Sequence, residues 1–150
     1  MLLSIISGTC QRIDLLQKMV ASVRRYLHGG IAYEIIIVDC ASTDGTQAWC
    51  KTQPDIKLIE HPGKLGAVRA FCDGAYAASG QFVCLLNDDC ELIDYSLLAA
   101  IAYLEEHPSC GAVAFADDRP AQGKPPGFHI QTMTVSDLQG KPASVPYAQV

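Results

Sequence analysis

The chain has 150 residues, a formal net charge of −5, and 49% hydrophobic against 18% charged residues. This length allows one domain with one sizeable core, and the composition excludes intrinsic disorder. The acidic balance argues against a nucleic-acid partner, which normally meets a basic protein face. An acidic protein that binds a phosphorylated ligand needs a metal ion, a few local cations or a helix N-terminus.

Seven cysteines are spread along the chain without any CxxC pair, so a structural zinc site is not expected. Their odd number and their place in apolar runs, such as Val83-Cys84-Leu85, predict reduced thiols in a cytoplasmic protein. The segment Met1–Ile6 has no basic region, so we do not expect it to be a signal peptide. The longest apolar stretch, around Leu97–Leu104, is too short to cross a bilayer.

Short apolar runs alternate with helical periodicity along most of the chain. Apolar residues at spacings of three and four, as from Ile13 to Leu27, predict amphipathic helices. The run Tyr33–Val38 is apolar almost throughout, which is typical of a strand buried on both faces of a parallel sheet. In chain order the predicted elements are a strand over Leu2–Ser7, a helix over Ile13–Leu27, a strand over Tyr33–Val38, a short helix from Ser42 or Thr43 to about Lys51, a strand over Ile56–Ile59, a helix over Gly66–Ala78, a strand over Gln81–Leu86, a helix from Asp94 or Ser96 to about Glu106, and strands over Gly111–Phe115 and His129–Val135.

This alternation predicts an α/β fold in which βαβ units build a mostly parallel, doubly wound sheet flanked by helices. Residues 117–127 are rich in Pro, Gly and charge, which predicts a loop, and we expect the last ten residues to be loose. We therefore divide the chain into a core over residues 1–116 and a loop-rich segment over residues 117–150.

Acidic residues stand at the predicted strand ends, where ligands collect in an open parallel sheet. Asn87, Asp88 and Asp89 directly follow one strand, and adjacent carboxylates repel unless something neutralises them. A divalent cation bound to a diphosphate would do so, because Mg²⁺ and Mn²⁺ prefer oxygen ligands. The alternative is a turn or helix-capping cluster, since Asp and Asn are common in turns.

Four further residues are candidates for the same edge. Asp39 ends the second predicted strand and either accepts hydrogen bonds from a ribose hydroxyl or a base N–H, or bonds its own backbone. We expect Asp44 to be structural, supporting the loop or the first turn of the next helix. Lys64 and Arg69 lie before and within the third predicted helix, and either meet a diphosphate or are solvated. The four histidines have no ligand spacing, so we interpret them as surface or turn residues.

Four segments in register resemble family 2 glycosyltransferases. Ile35–Thr46 closely resembles the family's "IVVDNASTDGT" segment, and Ser4–Leu16 resembles its opening "S-I-I-x-T-x-x-R-x-D-L-L" segment. Gly66–Gly80 looks like its "NxG…NxG…AxG" helix region, and Leu86–Asp89 looks like its metal-binding D-x-D signature. Together they cover about residues 2–116 in the family's order.

The resemblance implies a GT-A (Rossmann-like) fold and a nucleotide-diphosphate sugar donor, most often a UDP-sugar, bound with Mn²⁺ or Mg²⁺. Carried over residue by residue, the implied site has Thr9 lining the base pocket, Asp39 contacting the base, Ser42 close by, Asp88 near the ribose, and Asp89 on the metal that bridges the diphosphate. With Arg69 as the diphosphate candidate, these are the predicted nucleotide-binding and metal-binding residues.

The implied reaction is inverting transfer. A carboxylate base deprotonates an acceptor hydroxyl, which attacks the anomeric carbon, while the metal stabilises charge on the departing nucleoside diphosphate. Asn87 stands in the first acidic place of D-x-D, so we expect weaker metal affinity. The family's acceptor half and base normally lie beyond the D-x-D strand, and Asp117, Asp118 and Asp137 match no motif. The base is therefore unassigned, and we expect a chain truncated on the acceptor side.

The main alternative is a non-catalytic module of the same fold that binds the nucleotide sugar without transferring the sugar. A receiver-like domain would need an acidic pair after the first strand, where Gly8-Thr9-Cys10 offers none. A dinucleotide-dependent oxidoreductase would need G-x-G-x-x-G after the first strand, and that motif is absent. The expected partners are the nucleotide-sugar donor, a glycan or lipid-linked acceptor, and a second copy of the chain in a homo-oligomer, all in the cytoplasm.

Overall fold

The computed structural model describes residues 2–115, 129–136 and 142–149. The chain falls into two compact units, Met1–Tyr95 and Ser96–Val150. The elements of the first unit are β1 (Leu2–Thr9), α1 (Ile13–Leu27), β2 (Ala32–Cys40), α2 (Thr46–Lys51), β3 (Ile56–His61), α3 (Ala67–Ala77) and β4 (Phe82–Leu85). The described elements of the second unit are α4 (Ser96–Glu106), β5 (His129–Ser136) and β6 (Pro142–Gln149).

The strands of the first unit form one parallel sheet in the order β3-β2-β1-β4. Each parallel connection needs a crossover, which the intervening helices supply. The central strands β1 and β2 bury consecutive residues, as the runs Leu3–Ser7 and Ile35–Cys40 show. Consecutive burial means that both faces of these strands are covered, which is expected for the middle of a parallel sheet. The predicted α/β fold with a mostly parallel sheet is confirmed.

Helix α3 packs closely against β1 and β2. Two glycines allow this approach: a Cβ added at Gly74 would overlap the side chain of Ile6, and one added at Gly8 would lie 2.8 Å from the Cβ of Ala70. This close contact between α3 and the sheet brings the start of α3 to the carboxyl end of β1. On α1, the buried apolar residues keep the predicted helical spacing: Leu16, Met19, Val20, Val23 and Leu27.

Two sequence predictions for helix and strand positions are wrong. Helix α2 begins at Thr46 rather than at Ser42 or Thr43, because the preceding chain turns through left-handed residues. Ala41 has a φ of 60° and Gly45, the N-cap, has a φ of 96°. Residues 111–115 lie outside any strand or helix, so the strand predicted there does not form. Gly and Ala, both poor strand formers, occupy three of those five positions.

In the second unit, β5 confirms the strand predicted over His129–Val135. It pairs antiparallel with β6, from His129 opposite Gln149 to Ser136 opposite Pro142, so the expectation of a loose C-terminal segment is wrong. The loop predicted over residues 117–127 lies outside the described residues, and the division after residue 116 stays a prediction. Within the described ranges, no helix combines the length and apolar character that a membrane span requires.

Candidate functional site

Loops that follow three different strands meet at one rim of the sheet. The pairing of β1 with β2 ends with Thr9 opposite Asp39. On the other side of β1, the Leu86 N–H donates to the Ile6 carbonyl at 3.0 Å and continues the alignment of β4. The chain then enters Asn87-Asp88-Asp89. The carboxyl ends of β1, β2 and β4 therefore gather the polar residues that the sequence predicts for a site.

A cleft of about 460 Å³ opens at this rim. Its walls are the loop after β1, the end of β2, the segment that begins α3 and the loop after β4. Of the predicted nucleotide-binding and metal-binding residues, Thr9, Asp88 and Asp89 line this cleft. The diphosphate candidate Lys64 lines it too, as does Arg12, so it holds basic as well as acidic side chains.

The two adjacent carboxylates share one counter-ion, Arg12. Thr9 Oγ1 donates to Asp88 Oδ2 at 2.8 Å. Arg12 Nη1 lies 3.2 Å from Asp88 Oδ1 and 3.3 Å from Asp89 Oδ2. The Asp88 side chain is only 7% exposed, whereas that of Asp89 is 49% exposed. Asp88 is therefore a fixed, buried carboxylate, and Asp89 is an accessible one at the mouth of the cleft.

Asp39 is fully buried and has one satisfied and one unsatisfied oxygen. Oδ2 accepts from the Ser42 backbone N–H at 3.0 Å and from Gln47 Nε2 at 2.7 Å. Oδ1 is buried and has no hydrogen-bond partner within the described chain. Burial, and after it the nearby charge of Asp39, raise the pKa of Cys50 to about 11. A buried carboxylate oxygen without a donor is unfavourable, so Oδ1 has an unused acceptor capacity, although it is closed to solvent in this structure.

The loops after β1 and β2 are fastened to each other beside Asp39. The Gln11 N–H donates to Ser42 Oγ at 2.8 Å, and the Thr43 N–H donates to Gln11 Oε1 at 3.2 Å. Gln11 and Ala41 both have positive φ, 57° and 60°, without being glycine. Such left-handed residues are uncommon and concentrate at functional sites. Ser42 thus holds both Asp39 and the neighbouring loop.

Arg69 is paired with an acidic residue of its own helix. Its Nε donates to Asp73 Oδ1 at 2.8 Å, four residues further along α3. It is not among the residues that line the cleft, whereas Lys64 is. The role predicted for Arg69 as a nucleotide contact stays a prediction, and the structure offers Lys64 as the cation nearer to that space.

A metal at this site would depend on ligand oxygens as well as on protein. Within the described residues, no group of three or more His, Cys, Asp or Glu side chains is arranged to hold a metal ion. Asp89 nevertheless presents a half-exposed carboxylate to the cleft. Mg²⁺ and Mn²⁺ commonly use one or two carboxylates and complete their shell with phosphate and water oxygens. The donor set therefore fits a cation that arrives with a diphosphate.

Arg12 and Gln47 are site residues that the sequence reasoning missed. Arg12 could have been predicted. It lies just after β1, which ends at Thr9, and an acidic pair at the same rim needs a cation to neutralise it. Gln47 carries no such signal. Its contact with Asp39 depends on the left-handed turn that sets where α2 begins.

Solved structures share this fold but are longer than this chain. The mannosyltransferase PcManGT from Pyrobaculum calidifontis, in complex with GDP-Man and Mn²⁺, is 27% identical, with a TM-score of 0.68 over 80% of this chain and 36% of that chain. S. aureus TarS 1-349 in complex with UDP is 20% identical, with a TM-score of 0.73 over 94% of this chain and 43% of that chain. The chain thus spans less than half of either relative.

The match to a known family covers most of the sequence. The model for Glycosyl transferase family 2 matches residues 4–143, a range that contains every predicted site residue. The parallel sheet with flanking helices is the GT-A arrangement of its structural neighbours. This chain therefore belongs to glycosyl transferase family 2.

Proposed function

We propose that this chain is the donor-binding part of a glycosyltransferase that uses a nucleotide-diphosphate sugar and a divalent metal, and transfers the sugar with inversion to an acceptor hydroxyl. The observation that carries the proposal is the cleft at the sheet rim, which has Asp88 and Asp89 in its lining and the buried Asp39 beside it. Family membership supports it, as does the presence of GDP-Man and Mn²⁺ in the PcManGT structure.

We assign the metal, Mn²⁺ or Mg²⁺, to Asp89. Its carboxylate is accessible and its present partners are weak: Arg12 at 3.3 Å and the Cys90 thiol at 3.9 Å. When bound, the metal supplies a Lewis acid that stabilises negative charge on the departing nucleoside diphosphate. Asp88 keeps its bond from Thr9 and faces the ribose in this proposal. Its burial and its two partners hold that carboxylate in one orientation.

The pairing of Asp39 favours uracil over guanine as the base. Oδ2 already accepts two hydrogen bonds, so only Oδ1 remains for a ligand. Uracil presents a single N–H donor between two carbonyls, which matches one free acceptor. Guanine presents two adjacent donors, which a carboxylate satisfies best with both oxygens. Since Oδ1 is shielded from solvent, the base reaches it only after the loops that follow β1 and β2 shift.

Lys64 is the cation that we propose for the diphosphate. For Arg69 to take that role, its guanidinium would have to leave Asp73 and turn towards the cleft. The general base stays unassigned, because Asp117, Asp118 and Asp137 lie outside the described residues. The glycan or lipid-linked acceptor, the homo-oligomer and the cytoplasmic location likewise stay predictions.

Calorimetry with UDP and GDP, each with Mn²⁺ or with EDTA, tests the proposal. We expect Mn²⁺ to tighten UDP binding by about tenfold or more, which is ~1.4 kcal/mol. Asp89→Asn should remove that enhancement, and Asp39→Asn should remove the preference for UDP over GDP. Glu105→Gln, which neutralises an exposed acidic residue in the second unit, is the matched control.

Two outcomes would reject these assignments separately. Metal enhancement that survives in Asp89→Asn rejects the metal ligand, and equal affinity of the parent protein for UDP and GDP rejects the base assignment. Release of UDP from UDP-sugars in the presence of Mn²⁺ then separates an active transferase from a binding module, because a module binds without turnover.

A further inference from the structure

Arg12 contacts both acidic residues through a single nitrogen. Nη1 lies 3.2 Å from Asp88 Oδ1 and 3.3 Å from Asp89 Oδ2. A guanidinium carries five N–H donors, and no other hydrogen bond of this side chain occurs among the described residues. Arg12 also lines the cleft, and its side chain is 51% exposed. The guanidinium thus has donors left to offer to a ligand in the cleft.

The two contacts of Arg12 differ in how easily they can be broken. Asp88 is buried and is also held by Thr9, so the Arg12–Asp88 contact is an anchor. The contact with Asp89 joins two half-exposed side chains, and ion pairs of that kind contribute little stability. A ligand can therefore displace Arg12 from Asp89 while the contact with Asp88 keeps the arginine at the site.

We propose that Arg12 couples metal binding to diphosphate binding by exchanging Asp89 for the ligand, an inference that rests on the proposed function. While Arg12 is paired with Asp89, it hinders a divalent cation in two ways: it competes for the carboxylate, and its positive charge repels the cation. When a diphosphate arrives with the cation, the unused guanidinium donors turn to phosphate oxygens, for which their geometry is suited. The accessible carboxylate is then released to the cation.

The coupling predicts effects of opposite sign in one variant. In Arg12→Gln, Mn²⁺ without nucleotide should bind roughly two- to fivefold more tightly, because Asp89 has lost its competitor. UDP in the presence of Mn²⁺ should bind about tenfold more weakly, because the phosphate donors are gone. A purely structural arginine would change both affinities in the same direction.

The experiment measures Mn²⁺ alone by titration with detection of free Mn²⁺ by electron paramagnetic resonance, and UDP with saturating Mn²⁺ by calorimetry. Arg12→Lys keeps the charge but not the guanidinium donors, so it should restore the affinity for Mn²⁺ alone towards that of the parent protein. Arg25→Gln removes an exposed arginine of α1 that does not line the cleft, and it should change neither affinity. Thermal melting of each variant checks that the domain is folded.

Each result decides between defined alternatives. If the parent protein binds UDP with Mn²⁺, but Arg12→Gln leaves the affinity for Mn²⁺ alone unchanged or lowers it, the coupling is overturned and the proposed function stands. If Arg12→Lys binds Mn²⁺ alone as tightly as Arg12→Gln does, the charge is not the cause and the coupling is likewise overturned. If the parent protein binds no UDP with Mn²⁺, the proposed function fails and the coupling fails with it.

Discussion

Asp44 fastens the starts of two helices, so its removal should destabilise the first unit measurably. Its Oδ2 accepts from the Ile13 N–H at 3.0 Å, and its Oδ1 accepts from the Thr46 N–H at 3.1 Å and from Thr46 Oγ1 at 2.6 Å. Loss of a helix-capping side chain costs about 0.5–2 kcal/mol. Asp44→Ala breaks such contacts at two helices in a solvent-exposed setting, so we expect a loss of about 1–2 kcal/mol.

Urea unfolding followed by fluorescence measures this loss, because Trp49, the one tryptophan of the sequence, lies in α2 beside Thr46. Asp44→Asn is the matched variant: it keeps one acceptor oxygen, so it should lose about half as much. Burial acts to raise the pKa of Asp44, but hydrogen bonds from Thr46 and Ile13 outweigh it and hold that pKa below its ordinary value.

The lowered pKa fixes the sign of a pH test. The stabilisation is present above the ordinary pKa of an unfolded Asp, about 3.9, and is lost as the pH falls through the lowered folded pKa. The difference in unfolding free energy between the parent protein and Asp44→Ala should therefore shrink below about pH 4. An Asp44→Ala variant as stable as the parent at pH 7, or a difference that stays constant down to pH 2, would refute this reasoning.

Two other predictions concern packing and buried thiols. Gly74→Ala should lower the unfolding free energy by roughly 1–3 kcal/mol in urea, because the added methyl overlaps Ile6, whereas Gly63→Ala meets open space and should be near neutral. Burial raises the pKa of Cys84 to about 12, and burial followed by the charge of Asp39 raises that of Cys50 to about 11. These thiols ionise first in the unfolded chain, so stability should fall above about pH 9, by roughly 1 kcal/mol per thiol per pH unit. Cys84→Ser should flatten that decline, and an unchanged slope would contradict it.

The order and type of the elements in the first unit follow from its hydrophobic pattern, because burial on both faces leaves continuous apolar runs in β1 and β2. The errors have local causes. The start of α2 depends on two left-handed residues, Ala41 and Gly45, and a left-handed alanine has no signature in one sequence. The strand predicted over residues 111–115 rested on two apolar side chains among poor strand formers.

The location of the site was predictable from the sheet topology. The pairing of individual side chains within it was less predictable. Thr9, Asp88 and Asp89 line one cleft because parallel strands end at one rim. Arg69 shows the limit of the same logic. A helix offers it an acidic partner at i+4, Asp73, and that local pairing determines its orientation in the structure.

The charges at the cleft explain how an acidic chain can bind a nucleotide. The lining carries two acidic side chains, Asp88 and Asp89, and two basic ones, Arg12 and Lys64, so its formal charge is zero, and Asp39 beside it makes the total −1. Neither value attracts a diphosphate to a protein of net charge −5. The N-terminus of α3 adds only a fraction of a positive charge. A divalent cation changes the total from −1 to +1, so we expect nucleotide affinity to depend on the metal at least as steeply as on either basic side chain.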